Sequence, residues 1–235
     1  MQQRQRRRLL CLWLPRRRLP RRRLPHRRLR CRRPMRQAEQ PRLVLASQSA
    51  ARAGLMHAAG LRFEARPARV DEVAVKEACL AEGLDASEAA STLAEMKAAR
   101  IRDPDALVIG ADQLLVCEGA WFDKPADLAG ARAQLQALRG HKHTLVTAVV
   151  CLRGGQTVWH HIAVPALTMR GFSDAVLDDY LAAEGDAVLS CVGAYRVEGA
   201  GIHLFDRIEG EHGAILGLPM LPLLGFLRQH GVLAT

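Results

Sequence analysis

The 235-residue chain contains no run of about 18 apolar residues, no cysteine pair at CxxC spacing and no Walker A loop. The first absence argues against a membrane-spanning helix. The six cysteines (Cys11, Cys31, Cys79, Cys117, Cys151 and Cys191) are scattered, which is neither a disulfide framework nor a zinc site. They fit small core residues of a protein kept in a reducing, cytoplasmic compartment. There is no GxGxxG followed by an acid, no Ser-His-Asp order and no REXXEE box. Dinucleotide binding and triad hydrolysis therefore have no signature here.

Acidic residues are almost missing from the first 42 positions, which hold 17 Arg, no Lys and the single acid Glu39, a net charge of +16. The remaining residues carry 17 basic and 23 acidic side chains, a net of −6. The whole-chain charge of +10 therefore belongs to this segment, and nucleic-acid binding would be a property of it alone. Its units of RRRLP type combine repeated Pro with self-repelling Arg, a composition that predicts disorder. A nucleic-acid tail, a targeting peptide and an anionic-surface binder are the functional readings. The favoured expectation is that residues 1–34 are no part of the working protein, because Met35 stands just ahead of the first strand. The expected organisation is a tail over 1–41 and one domain over 42–235.

That domain opens with LVLASQSAARAGLMHAAG, residues 43–60. Leu43-Val44-Leu45 reads as a buried strand, Ser47 and Ser49 as a tight turn, and Leu55, Met56 and Ala59 as one face of a helix stopped at Gly60. Backbone N–H groups, two hydroxyls and the Arg52 guanidinium then converge on one spot, which suits a phosphate. RPARVDE follows, where Asp71 and Glu72 read as a solvated loop or as a magnesium ligand and its neighbour. Residues 87–101 predict a helix capped by Ser87 or Ser91, with Lys97 at the edge of its apolar face, where a lysine ordinarily snorkels. In ALVIGADQLLV (106–116), Leu107-Val108-Ile109 is a second buried strand that delivers Asp112 to a strand end, where α/β sheets bind ligands. A hairpin through Glu118-Gly119 leads to Lys124, held by Pro125 ahead of a helix ending at Gly140.

Residues 143–152 and 157–169 predict one long β-hairpin about the turn 153–156. His160 and His161 point to opposite faces of a strand and are read as structural. Ser173 is expected to cap a helix, residues 191–213 to mix loop and strand, and Pro219 to open the last helix. Hydroxyls and an arginine, two lysines and two carboxylates are together the equipment of phosphoryl chemistry, where catalysis is positioning and charge neutralisation.

LASQSAAR, VDE, LAEMKA, VIGADQ, DKP, GAYRVEGAGIHLFDRIEG and GLPMLPLL follow one another between about Leu43 and Leu233. In these motifs the chain resembles the Maf family of nucleotide pyrophosphatases. The resemblance implies an α/β fold, a mixed central β-sheet flanked by helices. It also implies a divalent metal (Mg²⁺ or Mn²⁺), a homodimer, and hydrolysis of a nucleoside triphosphate to the monophosphate and pyrophosphate. It places Ser47 and Arg52 in the first phosphate loop and sets Glu72, Lys97, Asp112 and Lys124 around the triphosphate and metal. Glu72 and Asp112 are the metal-site carboxylates, and Asp112 the proton acceptor from the attacking water. Two departures stand out. Ala50 and Ala51 replace the Pro and first Arg of the family's SxSPRR loop. Gln113 and Glu198 stand where the branch acting on dTTP and UTP has Thr and Gln, making the chain similar to the branch that prefers 7-methyl-GTP. A dTTP/UTP-type enzyme and a catalytically weak nucleotide-binding regulator of cell division are the alternatives.

Overall fold

A computed structural model describes residues 36–235. The apolar run Leu43–Leu45 lies in β1 (Arg42–Leu45), and the chain turns through Ser47 into α1 (Ala50–Ala58). Ser49 is the N-cap, its hydroxyl accepting from the Arg52 amide and satisfying one of the free N–H groups of the first turn. Gly60 takes φ 75° just past the helix, a left-handed conformation that ends it without a Cβ clash. β2 (Glu64–Ala65), α2 (Glu72–Ala81), α3 (Ala86–Ala99), β3 (Ala106–Cys117) and β4 (Ala120–Phe122) follow. Then come α4 (Leu128–Leu138), β5 (Lys142–Arg153), β6 (Gln156–Ala163), β7 (Ala166–Met169) and α5 (Asp174–Glu184). Short 3₁₀ turns between 185 and 204 lead to β8 (Phe205–Glu209), α6 (His212–Ile215) and α7 (Met220–Gln229).

The strands form one mixed sheet in the order β2-β1-β3-β5-β7-β8, with β4 beside β3 and β6 beside β5. This is the α/β class the sequence implies. β1 runs parallel to β2 and β3, and every other pairing is antiparallel. One edge of β3 is covered along residues 107–116 by β5. Its other edge is shared by two strands, β1 opposite 106–109 and β4 opposite 115–117. Residues 110–114 face the gap between them.

Core packing follows the strand alternation. Leu107, Ile109 and Ala111 point to the face covered by α1 and α7, joining Met56, Leu223 and Phe226. Each large apolar side chain buried there contributes roughly 1.5–3 kcal/mol relative to exposure. Val108 and Leu114 point to the other face, against Ala90, Leu93 and Ala94 of α3. Gly110 permits that contact: a Cβ here would lie 2.1 Å from the Ala94 carbonyl oxygen.

Several expectations are corrected. Asp112 does not sit at a strand end, because β3 runs on to Cys117. The parallel partner β1 stops opposite Ile109, so Asp112 lies just past the carboxyl end of the parallel pair although it is mid-strand in its own chain. The segment after the VDE motif is helical, with Asp71 as N-cap of α2. Asp85, not Ser87 or Ser91, caps α3, in a capping box with Glu88. The second arm of the predicted hairpin breaks at Val164-Pro165 into β6 and β7, both paired to β5. Residues 36–41, assigned to the tail by composition, pack on the domain: the Ala38 amide donates to Val232 O at 2.9 Å, and Gln37 bridges Leu233. The expectations for residues 1–35 lie outside the described residues.

Candidate active site

The gap in the edge of β3 is filled by side chains arriving from four elements. β1 ends at Leu45, and the Ala46 amide donates to Ile109 O at 2.8 Å, keeping the chain beside β3 until the turn begins. Ser47 is buried in that turn, its hydroxyl accepting from the Ser49 amide at 3.1 Å. Arg52 swings back from α1. Its Nη1 donates to Ser47 Oγ at 3.3 Å and its Nε to Gly217 O at 2.8 Å. Gly217 has φ 90°, and a Cβ there would meet the guanidinium at 3.0 Å, so both its conformation and its lack of a side chain serve Arg52. Burial lowers the Arg52 pKa, while the charges of Asp112 and Glu72 oppose that shift.

The centre of the site is an ammonium between two carboxylates. Lys97 Nζ donates to Asp112 Oδ1 at 2.5 Å and to Glu72 Oε1 at 2.6 Å. Lys97 is 6 % exposed and Asp112 3 %. The expectation of a snorkelling lysine therefore fails for Lys97: it follows Leu93 by one helical turn on the buried face of α3 and is tolerated there by its two acids. Burial pushes the Glu72 carboxyl up, but the Lys97 hydrogen bond and the charges of Lys97, Lys124 and Lys76 outweigh it, so the net shift is downward.

A cleft of about 1120 Å³ opens over this cluster, and all nine residues singled out in the sequence line it: Ser47, Ser49, Arg52, Glu72, Lys97, Asp112, Gln113, Lys124 and Glu198. Lys124 is exposed on the loop before α4. Gln113 commits its Nε2 to the protein, donating to Thr147 Oγ1 at 2.7 Å and to Ala214 O at 2.9 Å. It thus ties β3 to α6 while bordering the cleft. Glu198 accepts from Arg196 Nε at 3.2 Å, and Arg196 Nη1 reaches the largely buried Glu184 at 2.7 Å. Three lining cations were not singled out from sequence: Arg69, Lys76 and Arg196. The only signal for Lys76 was its spacing, one helical turn after Glu72, and that needed α2 to be recognised as a helix.

Asp112 Oδ2 is buried and has no hydrogen-bond partner among the described residues. Among the described residues no three His, Cys, Asp or Glu side chains converge as a self-sufficient metal cage. The donor set fits magnesium or manganese nonetheless. Such hard cations are commonly held by one or two carboxylates together with substrate phosphate oxygens and water, and Glu72 and Asp112 are the carboxylates that would hold one.

A family model described as Maf-like protein matches residues 42–230. A nucleoside triphosphate pyrophosphatase of Granulibacter bethesdensis is 58 % identical over 196 residues, covering 83 % of this chain and 100 % of the relative. Proteins with the same name from Rhodospirillum rubrum and Paramagnetospirillum magneticum are 52 % and 53 % identical, over 83 % and 81 % of this chain and 98 % and 99 % of theirs. With a match that spans most of the chain and relatives this similar over their full lengths, the chain belongs to the Maf-like protein family.

Proposed function

We propose that this protein hydrolyses a nucleoside triphosphate to the monophosphate and pyrophosphate, with 7-methyl-GTP preferred over pyrimidine nucleotides. The observation that carries the reading is the buried Oδ2 of Asp112, unpartnered among the described residues, on a side chain bordering a cleft that brings Arg52, Lys97 and Lys124 together with Glu72. The names of the relatives agree with the reaction.

In this reading Arg52, Ser47 and the first turn of α1 hold phosphate oxygens, and Lys124 neutralises charge from the opposite side. Lys97 holds Asp112 and Glu72 close together, donating to both. A water placed between Asp112 and the α-phosphorus attacks that phosphorus. Asp112 Oδ2 accepts the water's proton, the bond from the α-phosphorus to the α–β bridging oxygen breaks, and pyrophosphate leaves with the bridging oxygen. A divalent cation held by Glu72 and Asp112 would supply charge neutralisation at the phosphate oxygens. The base lies toward Glu198, whose carboxylate complements the positive charge of a 7-methylated guanine. The same reading carries a homodimer and a cytoplasmic location.

The test is pyrophosphate release from a panel of nucleoside triphosphates, including 7-methyl-GTP, dTTP and UTP, with and without Mg²⁺. The expected result is Mg²⁺-dependent release that is fastest from 7-methyl-GTP. Tenfold higher efficiency on dTTP or UTP would overturn the base assignment and leave the reaction standing. No release from any of them would favour a nucleotide-binding regulator.

A further inference from the structure

We propose that Lys76 and Asp123 form a positioning pair that holds Glu72 and Lys124 at their working separation across the cleft; this rests on the hydrolytic reading above. Lys76 Nζ donates to Asp123 Oδ1, joining α2 to the loop that carries Lys124. Lys76 is 8 % exposed, an unusual burial for a lysine, while its partner's side chain is 59 % exposed. Both border the same cleft as the reacting groups.

The weak anchoring of α2 gives this pair its importance. Within that helix only Lys76 and Cys79 are buried, Val75 packs part-buried beside Cys79 against the α3 core, and the large apolar side chains Val73 and Leu80 face outward. A ten-residue helix with so little apolar contact is positioned chiefly by its polar tethers, Glu72 to Lys97 and Lys76 to Asp123. Glu72 and Lys76 are one turn apart and share a side of the helix. Lys97 draws that side toward β3, and Asp123 draws it toward the loop. Asp123 is itself pinned, its carbonyl accepting from Gln134 Nε2 of α4 at 2.8 Å. Helix, loop and α4 therefore form one frame, with Glu72 on one member and Lys124 on the next. With the Asp123 end of the pair in solvent, the pair adds little to global stability, so its loss should appear as misplacement of these two groups and not as unfolding.

The test uses the full chain with Lys76→Met, Asp123→Asn, the two combined, and the charge exchange Lys76→Asp with Asp123→Lys. Pyrophosphate release from the best nucleoside triphosphate is followed against Mg²⁺ concentration, and amide hydrogen exchange is followed across residues 72–81. Each single variant should lower kcat by roughly ten- to hundredfold, require more Mg²⁺ and speed exchange in α2. The double variant should be no worse than the singles, and the charge exchange should recover most of both losses. If Lys76→Met raises KM alone while Asp123→Asn matches the unmodified protein in kcat and in exchange, Lys76 is a direct phosphate ligand and the pair is overturned. If the unmodified protein releases no pyrophosphate, the hydrolytic reading fails by itself. Exchange still decides the tether: rates in α2 unchanged by both single variants would refute it.

Discussion

Gly110 and Ala94 are in contact across the β3–α3 interface, so close that a methyl group on Gly110 would lie 2.1 Å from the Ala94 carbonyl oxygen and 2.9 Å from the Ala98 Cβ. Lys97 stands three residues beyond Ala94, and Asp112 two beyond Gly110. The spacing of strand and helix therefore sets the 2.5 Å contact between that ammonium and that carboxylate. Gly110→Ala should push α3 outward. The expected outcome is a stability loss of about 1–3 kcal/mol in urea titration, with a larger proportional fall in kcat than a remote variant of equal stability. A variant with normal Tm and normal kcat would show the interface to be looser than described.

Asp112→Asn keeps the shape and an acceptor for Lys97, and Lys97 retains Glu72 as a charged partner. Folding should be almost unchanged, whereas kcat should fall by roughly a hundredfold or more, because the amide cannot accept the proton of the attacking water. If unfolding midpoint and kcat fall in parallel, with surviving folded protein fully active, Asp112 is a structural acid and Glu72 becomes the base to examine.

His143 gives the fold an acid-sensitive point. It is buried, its Nε2 is 2.9 Å from the Tyr195 hydroxyl, and Nδ1 has no hydrogen-bond partner among the described residues. Burial lowers its pKa from 6.5 to about 4. The unfolded chain therefore binds a proton that the folded chain refuses. No stability is lost above pH 6.5, and from there down to pH 4 the loss is about 1.4 kcal/mol per pH unit, roughly 3 kcal/mol in all. Urea titrations at pH 7 and pH 5 should show the natural protein losing about 2 kcal/mol more than His143→Gln. Equal losses would mean that the ring is protonated in place.

Glu198→Gln addresses base choice without disturbing the frame. Arg196 retains its 2.7 Å bond to Glu184, so the loop should stay as it is. Efficiency on 7-methyl-GTP should drop about tenfold, equivalent to about 1.4 kcal/mol of transition-state binding, and efficiency on dTTP should not. Equal losses on both nucleotides would move Glu198 from recognition of the base to support of Arg196.

The elements with strong local signals were legible in the sequence. Leu43–Leu45, the Ser47–Ser49 turn, the Glu118-Gly119 hairpin and the Ser173 cap announce themselves through periodicity and turn chemistry, which neighbouring residues determine. What escaped was set by distant partners. Lys97 looks like a surface lysine until Asp112, fifteen residues on, and Glu72 are brought to it. The continuation of β3 through Asp112 was hidden because a charged residue inside an apolar run resembles a terminus, and only β5 and the buried ammonium make it tolerable mid-strand. α2 went unrecognised because few of its residues are buried, so it has hardly any apolar stripe to read. The residues singled out by type nonetheless line one cleft, since hydroxyls, acids and cations near strand–helix junctions stand out in a sequence.

The open stretch of β3 has a consequence for how this domain can change over time. Asp112 and Gln113 are adjacent, yet one turns to Lys97 on α3 and the other to Ala214 on α6, on opposite faces of the sheet. A cleft that wraps around an uncovered strand edge can draw on both faces, which a cleft confined to one face cannot. The cost is intolerance of length: a single residue inserted or deleted between Gly110 and Asp112 would exchange the two sides, aiming the carboxylate at α6 and the amide at the ammonium. Substitutions can accumulate along this strand, but its residue count cannot drift.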